Sequence, residues 1–238
     1  MAVRASDNER ALDATVQSDI ERLTVPRYSF AEADRLADVS RGTARRWLSG
    51  YTYRDTAGRP VKVPPITSGV TDDGAASFLD VIEIVAIGGL KRAGFSTRAI
   101  RQIVRNCQEI LGVERPLTTL KFKVGGREVF VDRGDVLVEV GRRKRMQAWN
   151  EVLAPFLASL DYTNDVASRW WPLGKAAPIV VDPDFGYGLP VVAGSGVRTE
   201  IIRERAEAGD LVQQIASDFN LDCTEVERAL QFELKRAA

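Results

Sequence analysis

Apolar residues recur at helical spacing near the start of the chain. The apolar stripe consists of Leu12, Val16, Ile20 and Leu23. Ser6 and Glu9 precede it with the spacing of a capping box, in which each side chain accepts a hydrogen bond from a backbone amide at the start of a helix. The pattern therefore predicts a helix over residues 6–23, within an N-terminal amphipathic arm of residues 1–26 that packs on the body or on a second protomer.

The segment after the arm has the spacing of a helix-turn-helix. Ser29 and Glu32 form a second capping box, which predicts a short helix through Ala37. Ser40 is placed to cap the next helix, from Arg41 to Leu48, and small or apolar residues occupy the positions where the two helices would cross. The polar residues left on the outer side of the second helix are Arg41, Thr43, Arg45 and Arg46.

Beyond Gly50 the pattern changes to a period of two residues. Residues 51–54 and 59–63 have the composition of short strands, and the sequence Asp55-Thr56-Ala57-Gly58 between them is typical of a turn. The pattern predicts a β-hairpin wing. The basic residues of this wing are Arg54, Arg59 and Lys62.

The helix-turn-helix and the wing together predict a DNA-binding surface. We expect the second helix to enter the major groove with its N-terminal amides toward phosphate, while Thr43 and the arginines reach base edges. Arg59 and Lys62 of the wing would follow the DNA backbone. A three-helix structural module without a role in DNA binding is the alternative interpretation.

Two apolar helices are predicted next, over residues 78–93 and up to Leu111, with the turn Gly94-Phe95-Ser96 between them. The order of helix-turn-helix, wing and two helices resembles the MerR-type winged helix over residues 27–112. The resemblance implies that this segment is a DNA-binding domain. MerR regulators continue into a long dimerising coiled coil, whereas Gly112 and Pro116 end the helix here.

Residues 113–178 form a segment in which predicted strands precede a predicted helix. Alternation predicts a three-stranded β-meander over residues 117–140, followed by a helix from Met146 to Leu160. Residues 161–174 have the composition of a linker. Neighbouring tryptophans beside an arginine can anchor a protein partner, although packing inside the protein is the commoner use of tryptophan. The candidate anchors in the linker are Arg169, Trp170 and Trp171.

The last segment, residues 179–238, begins with two short strands around a turn. Three helices are predicted after them, resembling a second helix-turn-helix: Thr199 to Ala208, Leu211 to Phe219 and Thr224 to Arg236. Residues 182–238 hold eleven acidic and six basic residues, so a phosphate backbone would repel much of this surface. We therefore interpret this segment as a protein-binding or dimerising module.

Spaced motifs in the last segment resemble the domain-of-unknown-function family 433. The matching positions include Val181-Asp182-Pro183, Phe185-Gly186, Ala193-Gly194-Ser195-Gly196-Val197, Ala208-Gly209-Asp210, Ile215-Ala216 and Glu225-Val226-Glu227. This family consists of small helical modules that are common among VapB-type antitoxins of bacterial toxin–antitoxin pairs. The whole chain is similar to a mycobacterial VapB-type antitoxin that carries an N-terminal DNA-binding domain.

The resemblance implies two kinds of partner. One end would bind operator DNA and repress its own operon, and another surface would hold a VapC-type PIN-domain ribonuclease toxin inactive. A homodimer would suit a palindromic operator. The residues assigned to partner binding are Arg169, Trp170, Trp171, Arg228, Lys235 and Arg236.

The expected fold class is mainly α, within the α+β class. Its parts are a MerR-like winged helix-turn-helix over residues 27–112, a central β-meander plus helix and linker over residues 113–178, and a C-terminal antitoxin-type module of three helices over residues 179–238.

Composition excludes several classes of function. Among 238 residues there is no histidine, so Ser-His-Asp and Cys-His catalysis and histidine-ligated zinc are ruled out. Cys107 and Cys223 form no CxxC motif, and Asp182 and Asp184 flank a turn-forming proline. We therefore expect a chain that is not an enzyme and takes no metal or cofactor. The sequence contains neither a signal-peptide pattern nor a long apolar stretch, which predicts a cytoplasmic protein without a membrane partner.

The formal net charge of zero conceals a gradient along the chain. Residues 27–62 hold eight basic and four acidic residues, and residues 84–108 hold five basic residues and no acidic one. This distribution predicts a basic DNA-facing end and an acidic protein-facing end. Solvated helix faces on which charges happen to cluster are the alternative interpretation. Two alternatives to an antitoxin remain open. One is a stand-alone MerR-like regulator whose residues 113–238 sense a ligand or assemble dimers, and the other is a structural dimeric module.

Overall fold

A computed structural model describes residues 17–18, 20–67, 69, 74–132 and 142–237, with the side chains of 131–132 and 235–237 excepted. These residues form helices and short antiparallel sheets, which confirms the predicted fold class. Residues 17–18 and 20–23 are helical, and Leu23 is completely buried. The rest of the predicted arm helix lies outside the described residues.

The front of the molecule is a winged helix-turn-helix followed by two longer helices. Its elements are β1 (Tyr28–Ser29), α1 (Phe30–Leu36), α2 (Thr43–Ser49), β2 (Tyr51–Arg54), β3 (Pro60–Val63), β4 (Ala75–Ala76), α3 (Phe78–Arg92) and α4 (Thr97–Leu111). Strand β1 pairs with β4, and β2 pairs with β3, both antiparallel. The predicted order of helix-turn-helix, hairpin wing and two helices is confirmed.

Side-chain caps fix the starts of α1 and α3. The Ser29 hydroxyl accepts a hydrogen bond from the Glu32 amide at 3.2 Å, and the Glu32 carboxylate accepts one from the Ser29 amide at 2.8 Å, as predicted. Ser77 and Asp80 form an equivalent capping box at α3. These local pairs satisfy amides that a helix start leaves without partners.

The predicted β-meander over residues 117–140 is wrong wherever the structure describes it. Residues Leu120–Asp132 form helix α5, and the predicted third strand, residues 136–140, lies outside the described residues. Two residues eight apart on α5, Phe122 and Phe130, are buried against Trp149, with ring centroids 5.3 and 5.8 Å away. Val124, which strand alternation places on the same face, is exposed. Packing against Trp149 therefore favours the helical period.

A segmented helix follows and supplies that tryptophan. It runs through α6 (Arg142–Ala148), a π-helical turn (Trp149–Leu153) and α7 (Ala154–Ala158). The predicted helix from Met146 to Leu160 is thus present with shifted ends. Leu160 instead begins the next strand.

A four-stranded antiparallel meander follows these helices. Its strands, in sheet order, are β5 (Leu160–Thr163), β6 (Val166–Trp170), β7 (Ile179–Val181) and β8 (Pro190–Val192). Most of the predicted linker over residues 161–174 is therefore sheet. Asn164 and Asp165 both adopt positive φ, 49° and 65°, between paired residues Thr163 and Val166. A two-residue hairpin turn of this kind joins two strands directly, so the prediction of a linker is wrong here.

The C-terminal trio of helices is confirmed. Its members are α8 (Thr199–Glu207), α9 (Val212–Phe219) and α10 (Cys223–Ala237). Their buried residues form a second hydrophobic core that includes Ile179 of β7, whereas Val181 of the same strand belongs to the first core. The sheet is therefore shared between the two cores.

The loop between β7 and β8 contacts the start of the winged helix. The buried Tyr28 hydroxyl donates to the carbonyl oxygen of Gly188 at 2.7 Å. Arg27 donates to the carbonyl of Pro183, and Arg22 pairs with the Asp184 carboxylate. The first residues of the winged helix are thus anchored on the C-terminal part of the chain.

Candidate nucleic-acid interface

A buried carboxylate of α1 organises the helix-turn-helix. Asp34 is 3% exposed, and its two oxygens accept hydrogen bonds from the amides of Gly42, at 2.6 Å, and Ala44, at 2.7 Å. The predicted cap by the Ser40 side chain is wrong. The residue directly before α2 is Gly42, which adopts the left-handed conformation with φ 79°. Asp34 is not among the residues predicted from the sequence. The available signal was an acidic residue on the inner side of α1, between Ala33 and Leu36.

The cap changes the predicted role of the α2 amides. The amides of Gly42 and Ala44 bind Asp34, and the Thr43 amide donates to the Ser40 carbonyl at 3.0 Å. The expectation that these amides face phosphate is therefore wrong. Any cationic character at this helix start comes from side chains instead.

The outer side of α2 presents arginines. Arg41, Arg45 and Arg46 are exposed, as predicted. Thr43 was predicted to face outward, but it is only 7% exposed and its hydroxyl accepts a hydrogen bond from Nη2 of Arg46 at 3.1 Å. Thr43 is buried because it opens the helix against α1, and it orients Arg46 rather than reaching outward itself.

The wing separates its charged and aromatic residues onto two faces. Thr52 pairs with Lys62 and Arg54 pairs with Pro60, so strand alternation places Arg54 and Lys62 on one face. Tyr51 and Tyr53 lie on the other face, exposed, with ring centroids 6.3 Å apart. One face of the hairpin is therefore cationic.

Asp55 closes the tip of the wing. Its carboxylate accepts from the amides of Arg59 and Ala57 and from Nε of Arg59, each at 2.9 Å. These hydrogen bonds, led by the one from the Arg59 amide, hold the pKa of Asp55 below its ordinary value. Asp55 thereby binds Nε of Arg59, while the Arg59 side chain stays 78% exposed.

The wing has a defined orientation relative to the helices. Gly50 joins α2 to β2 with φ 71°, and a Cβ atom there would lie 2.5 Å from the Val63 carbonyl oxygen, so the junction requires glycine. Arg101 of α4 donates to the carbonyls of Pro64, at 2.9 Å, and Pro65, at 3.2 Å. The base of the wing is consequently tied to α4.

Further cations extend this surface along α4. Arg98 and Arg105 are exposed and share a helix face with Arg101 because the three are spaced by three and four residues. The basic segment over residues 84–108 therefore adjoins the wing.

The residues predicted to bind a protein partner lie in several environments. Trp170 is only 6% exposed and belongs to the first core, so its interpretation as an exposed anchor is wrong. The Trp171 indole donates to Asp161 at 2.8 Å, and Nε of Arg169 donates to Asp182 at 2.6 Å. Arg228 is exposed on α10. The side chains of Lys235 and Arg236 lie outside the described part.

Two observations bear on other classes of function. Within the described ranges, no three acidic or cysteine side chains cluster in a way that could hold a metal ion. No helix in the same part of the chain combines the length and apolarity needed to cross a membrane.

Comparisons with protein families match both ends of the chain. Residues 26–104 match the family described as "Putative DNA-binding HTH domain". Residues 179–232 match the family described as "Protein of unknown function (DUF433)", which confirms the predicted resemblance. Residues 26–104 are therefore similar to a putative DNA-binding helix-turn-helix domain, and residues 179–232 are similar to a family 433 domain.

Whole-chain relatives come from Mycobacterium tuberculosis. The chain is 27% identical over 226 residues to "Putative antitoxin VapB45", an alignment covering 88% of this chain and 94% of the relative. It is 26% identical over 240 residues to "Uncharacterized protein Rv2308", covering 94% and 95%. The crystal structure of Rv2018 shares the fold, with a TM-score of 0.64 at 23% identity over 87% of this chain and 98% of that one. The chain thus resembles one mycobacterial protein named as a putative antitoxin along most of its length.

Proposed function

We propose that the chain is an antitoxin that neutralises a VapC-type PIN-domain ribonuclease and represses its own operon by binding operator DNA. The observation that carries the DNA-binding half is the exposed cationic surface of α2 and the wing, oriented by Asp34, Gly50 and Arg101. The similarity to a protein named as an antitoxin supports the other half.

In this proposal, α2 lies in the major groove. Arg45 and Arg46 reach base edges, with Arg46 oriented by the Thr43 hydroxyl. The phosphate-contacting residues are Arg41, Arg54, Arg59 and Lys62. Phosphate contacts set the register on the duplex, whereas the base contacts give specificity.

Binding to DNA from upstream of the gene tests the first half. Replacing Arg45 or Arg46 with alanine is expected to cost about 1–3 kcal/mol of binding free energy and to relax specificity. Lys62→Ala is expected to weaken binding to all DNA sequences alike. It should also reduce the magnitude of the slope of log affinity against log salt concentration by about 1. Arg228→Ala on α10 is the control. Unchanged affinity in the α2 variants, measured by fluorescence anisotropy, would contradict the assignment.

Co-expression with the neighbouring reading frame tests the antitoxin half. We expect the two proteins to copurify and the chain to rescue growth from the neighbour's ribonuclease activity. Arg228→Ala and Trp171→Ala, at assigned partner-binding positions, are expected to weaken the complex while leaving operator binding intact. Absence of both a complex and a rescue would refute an antitoxin role.

A stand-alone MerR-like regulator is a second candidate, favoured by one cavity. A groove of about 770 Å³ lies between the arm, α3, the start of α5 and the β5–β6 turn. Its lining includes Ile20, Leu79, Val113, Lys121 and Val166. A mainly apolar groove of this size suits a small effector. Operator affinity that shifts with a small molecule and ignores the neighbouring protein would favour this candidate.

We also propose that the chain is a cytoplasmic homodimer. Its domains in this proposal are an arm over 1–26, a DNA-binding domain over 27–112, a middle region over 113–178 and an antitoxin-type module over 179–238. Twofold symmetry would match a palindromic operator. Sedimentation equilibrium is expected to give twice the chain mass.

A further inference from the structure

A second pocket lies against strands β7 and β8 and the loop between them. It encloses about 410 Å³, and its walls include Arg169, Trp171 and Phe185. Val180 and Val191 of β7 and β8 are buried and line it as well. The pocket thus combines apolar side chains with one guanidinium group and the Asp182 carboxylate that pairs with it.

Arg169 is held in a fixed orientation by a buried carboxylate. Its Nε donates to Oδ2 of Asp182 at 2.6 Å, while Oδ1 of Asp182 accepts the Asp184 amide at 2.9 Å. The Asp182 carboxylate is therefore fully engaged. Among the described residues, neither Nη atom of Arg169 makes a hydrogen bond, and the side chain is 50% exposed.

The exposed edge of this guanidinium suits a second carboxylate. Two Nη groups in one plane match the two oxygens of a carboxylate. The chain itself contains an arginine that serves two acids, since Nη1 of Arg115 lies 2.6 Å from Asp80 and 3.3 Å from Glu83. Bonding to Asp182 consequently leaves Arg169 able to bind another acid.

The aromatic walls of the pocket determine which kind of chemical group is attached to the bound carboxylate. Trp171 is held by its hydrogen bond to Asp161, which also accepts from Lys175 at 2.6 Å. Phe185 is 57% exposed, although its amide is fixed by the Asp182 carbonyl at 3.1 Å. An ordered loop that exposes an aromatic ring loses little conformational entropy on binding.

We propose that this pocket binds a carboxylate attached to an aromatic or aliphatic group. The carboxylate lies on the two Nη groups of Arg169, and the apolar group lies between Trp171 and Phe185. A free organic acid and an acidic residue of a protein partner share this chemistry. Only the second source rests on the proposed antitoxin function.

Titration of the full chain with phenylacetate, compared with uncharged phenylacetamide, tests the proposal. Tryptophan fluorescence and calorimetry are expected to show saturable binding of the acid and about tenfold weaker binding of the amide, a loss equivalent to about 1.4 kcal/mol. Equal binding of the two probes, or no saturable binding of phenylacetate, would overturn it.

Variants locate the binding in this pocket. Arg169→Gln combined with Asp182→Asn keeps a neutral pair in place of the ion pair and is expected to abolish the preference for the acid. Phe185→Ala removes an exposed side chain from the wall of the pocket. It is expected to weaken the binding of phenylacetate severalfold without affecting folding. Arg127→Gln, at an exposed arginine of α5 that does not line the pocket, is the control. Unchanged phenylacetate binding in Phe185→Ala and in a folded double variant would also overturn the proposal.

Competition identifies the source of the carboxylate. If phenylacetate displaces the product of the neighbouring reading frame, the natural ligand of the pocket is an acidic residue of that protein. If both bind at the same time, the natural ligand is a free organic acid. If no complex forms at all, the antitoxin function fails while the titration result stands.

Discussion

At the scale of single residues, Asp34 connects two helices by capping the second from within the first. Both of its oxygens bind amides of the turn and α2, and the side chain is shielded from water. A carboxylate also interacts favourably with the positive end of a helix. Asp34 therefore helps to fix the orientation of α2, which carries Arg45 and Arg46.

Asp34→Ala is expected to lower the free energy of unfolding by about 2–4 kcal/mol, because two buried amides lose a charged acceptor. Asp34→Asn keeps one acceptor and should cost about half as much. The exposed Asp38 of the same turn serves as the control, with Asp38→Asn expected to change stability by less than about 0.5 kcal/mol. Urea denaturation measures all three, and equal effects of the Asp34 and Asp38 variants would contradict this role.

A second residue, Glu83 of α3, is buried close to other acidic residues. Burial raises its pKa to about 7, although the Arg115 guanidinium and the Thr67 hydroxyl lower it, and Asp80 and Glu114 add to the rise. Its Oε1 atom has no hydrogen-bond partner among the described residues. The folded chain therefore holds a proton on Glu83 more tightly than the unfolded chain does.

This shift predicts a pH dependence of stability. The contribution of Glu83 is fully present below pH 4.5, the ordinary value, and is lost as the pH rises to about 7. In Glu83→Gln the group no longer titrates, so wild type should lose stability relative to the variant as the pH rises across that range. Urea denaturation at several pH values checks the difference, and parallel profiles would refute it.

At the scale of elements, α5 is a sequence compatible with two structures. Its alternating Leu120-Lys121-Phe122-Lys123-Val124 and the pair Gly125-Gly126 suit a hairpin, yet the segment is a helix. The two glycines differ in surroundings. A Cβ at Gly125 would meet no atom within 4 Å, whereas one at Gly126 would lie 2.4 Å from the Phe122 ring.

Gly125→Ala is therefore expected to stabilise the chain by about 0.5–1 kcal/mol, since alanine loses less backbone entropy in a helix. Gly126→Ala is the matched comparison and should destabilise it through the contact with Phe122. Thermal denaturation of both variants tests the assignment. Destabilisation by Gly125→Ala, as a glycine-dependent hairpin turn would give, would show that the helical assignment is wrong.

At the scale of the whole molecule, the meander and its β7–β8 loop join the two cores. Strand β7 contributes to both cores. The β7–β8 loop accepts a hydrogen bond from the Tyr28 hydroxyl and contacts Arg22 and Arg27. Burial raises the pKa of Tyr28, so its hydroxyl stays protonated and donates to Gly188. The start of the winged helix and the C-terminal part are therefore linked energetically.

Tyr28→Phe is expected to lower the free energy of unfolding by about 1–2 kcal/mol, because it leaves the buried Gly188 carbonyl without its partner. Tyr53→Phe on the exposed face of the wing is the control and should change stability little. Urea denaturation followed by far-ultraviolet circular dichroism compares them. Identical stability of the two variants would mean that this contact does not couple the parts.

The sequence by itself determined the elements whose signals are local. The capping box of Ser29 and Glu32, the turn of the wing and the breaks in the C-terminal trio each depend on residues a few positions apart, so their patterns predicted them correctly. The exposed arginines of the candidate interface were found in the same way.

Only the tertiary structure decided the features that depend on distant residues. Helix α5 forms because Phe122 and Phe130 meet Trp149, and Trp170 is buried because β6 lies inside the sheet. Asp34 likewise caps a helix that begins nine residues later. In each case the outcome depends on burial or hydrogen bonding with residues outside the local pattern, and those contacts supply the free energy that selects the observed structure.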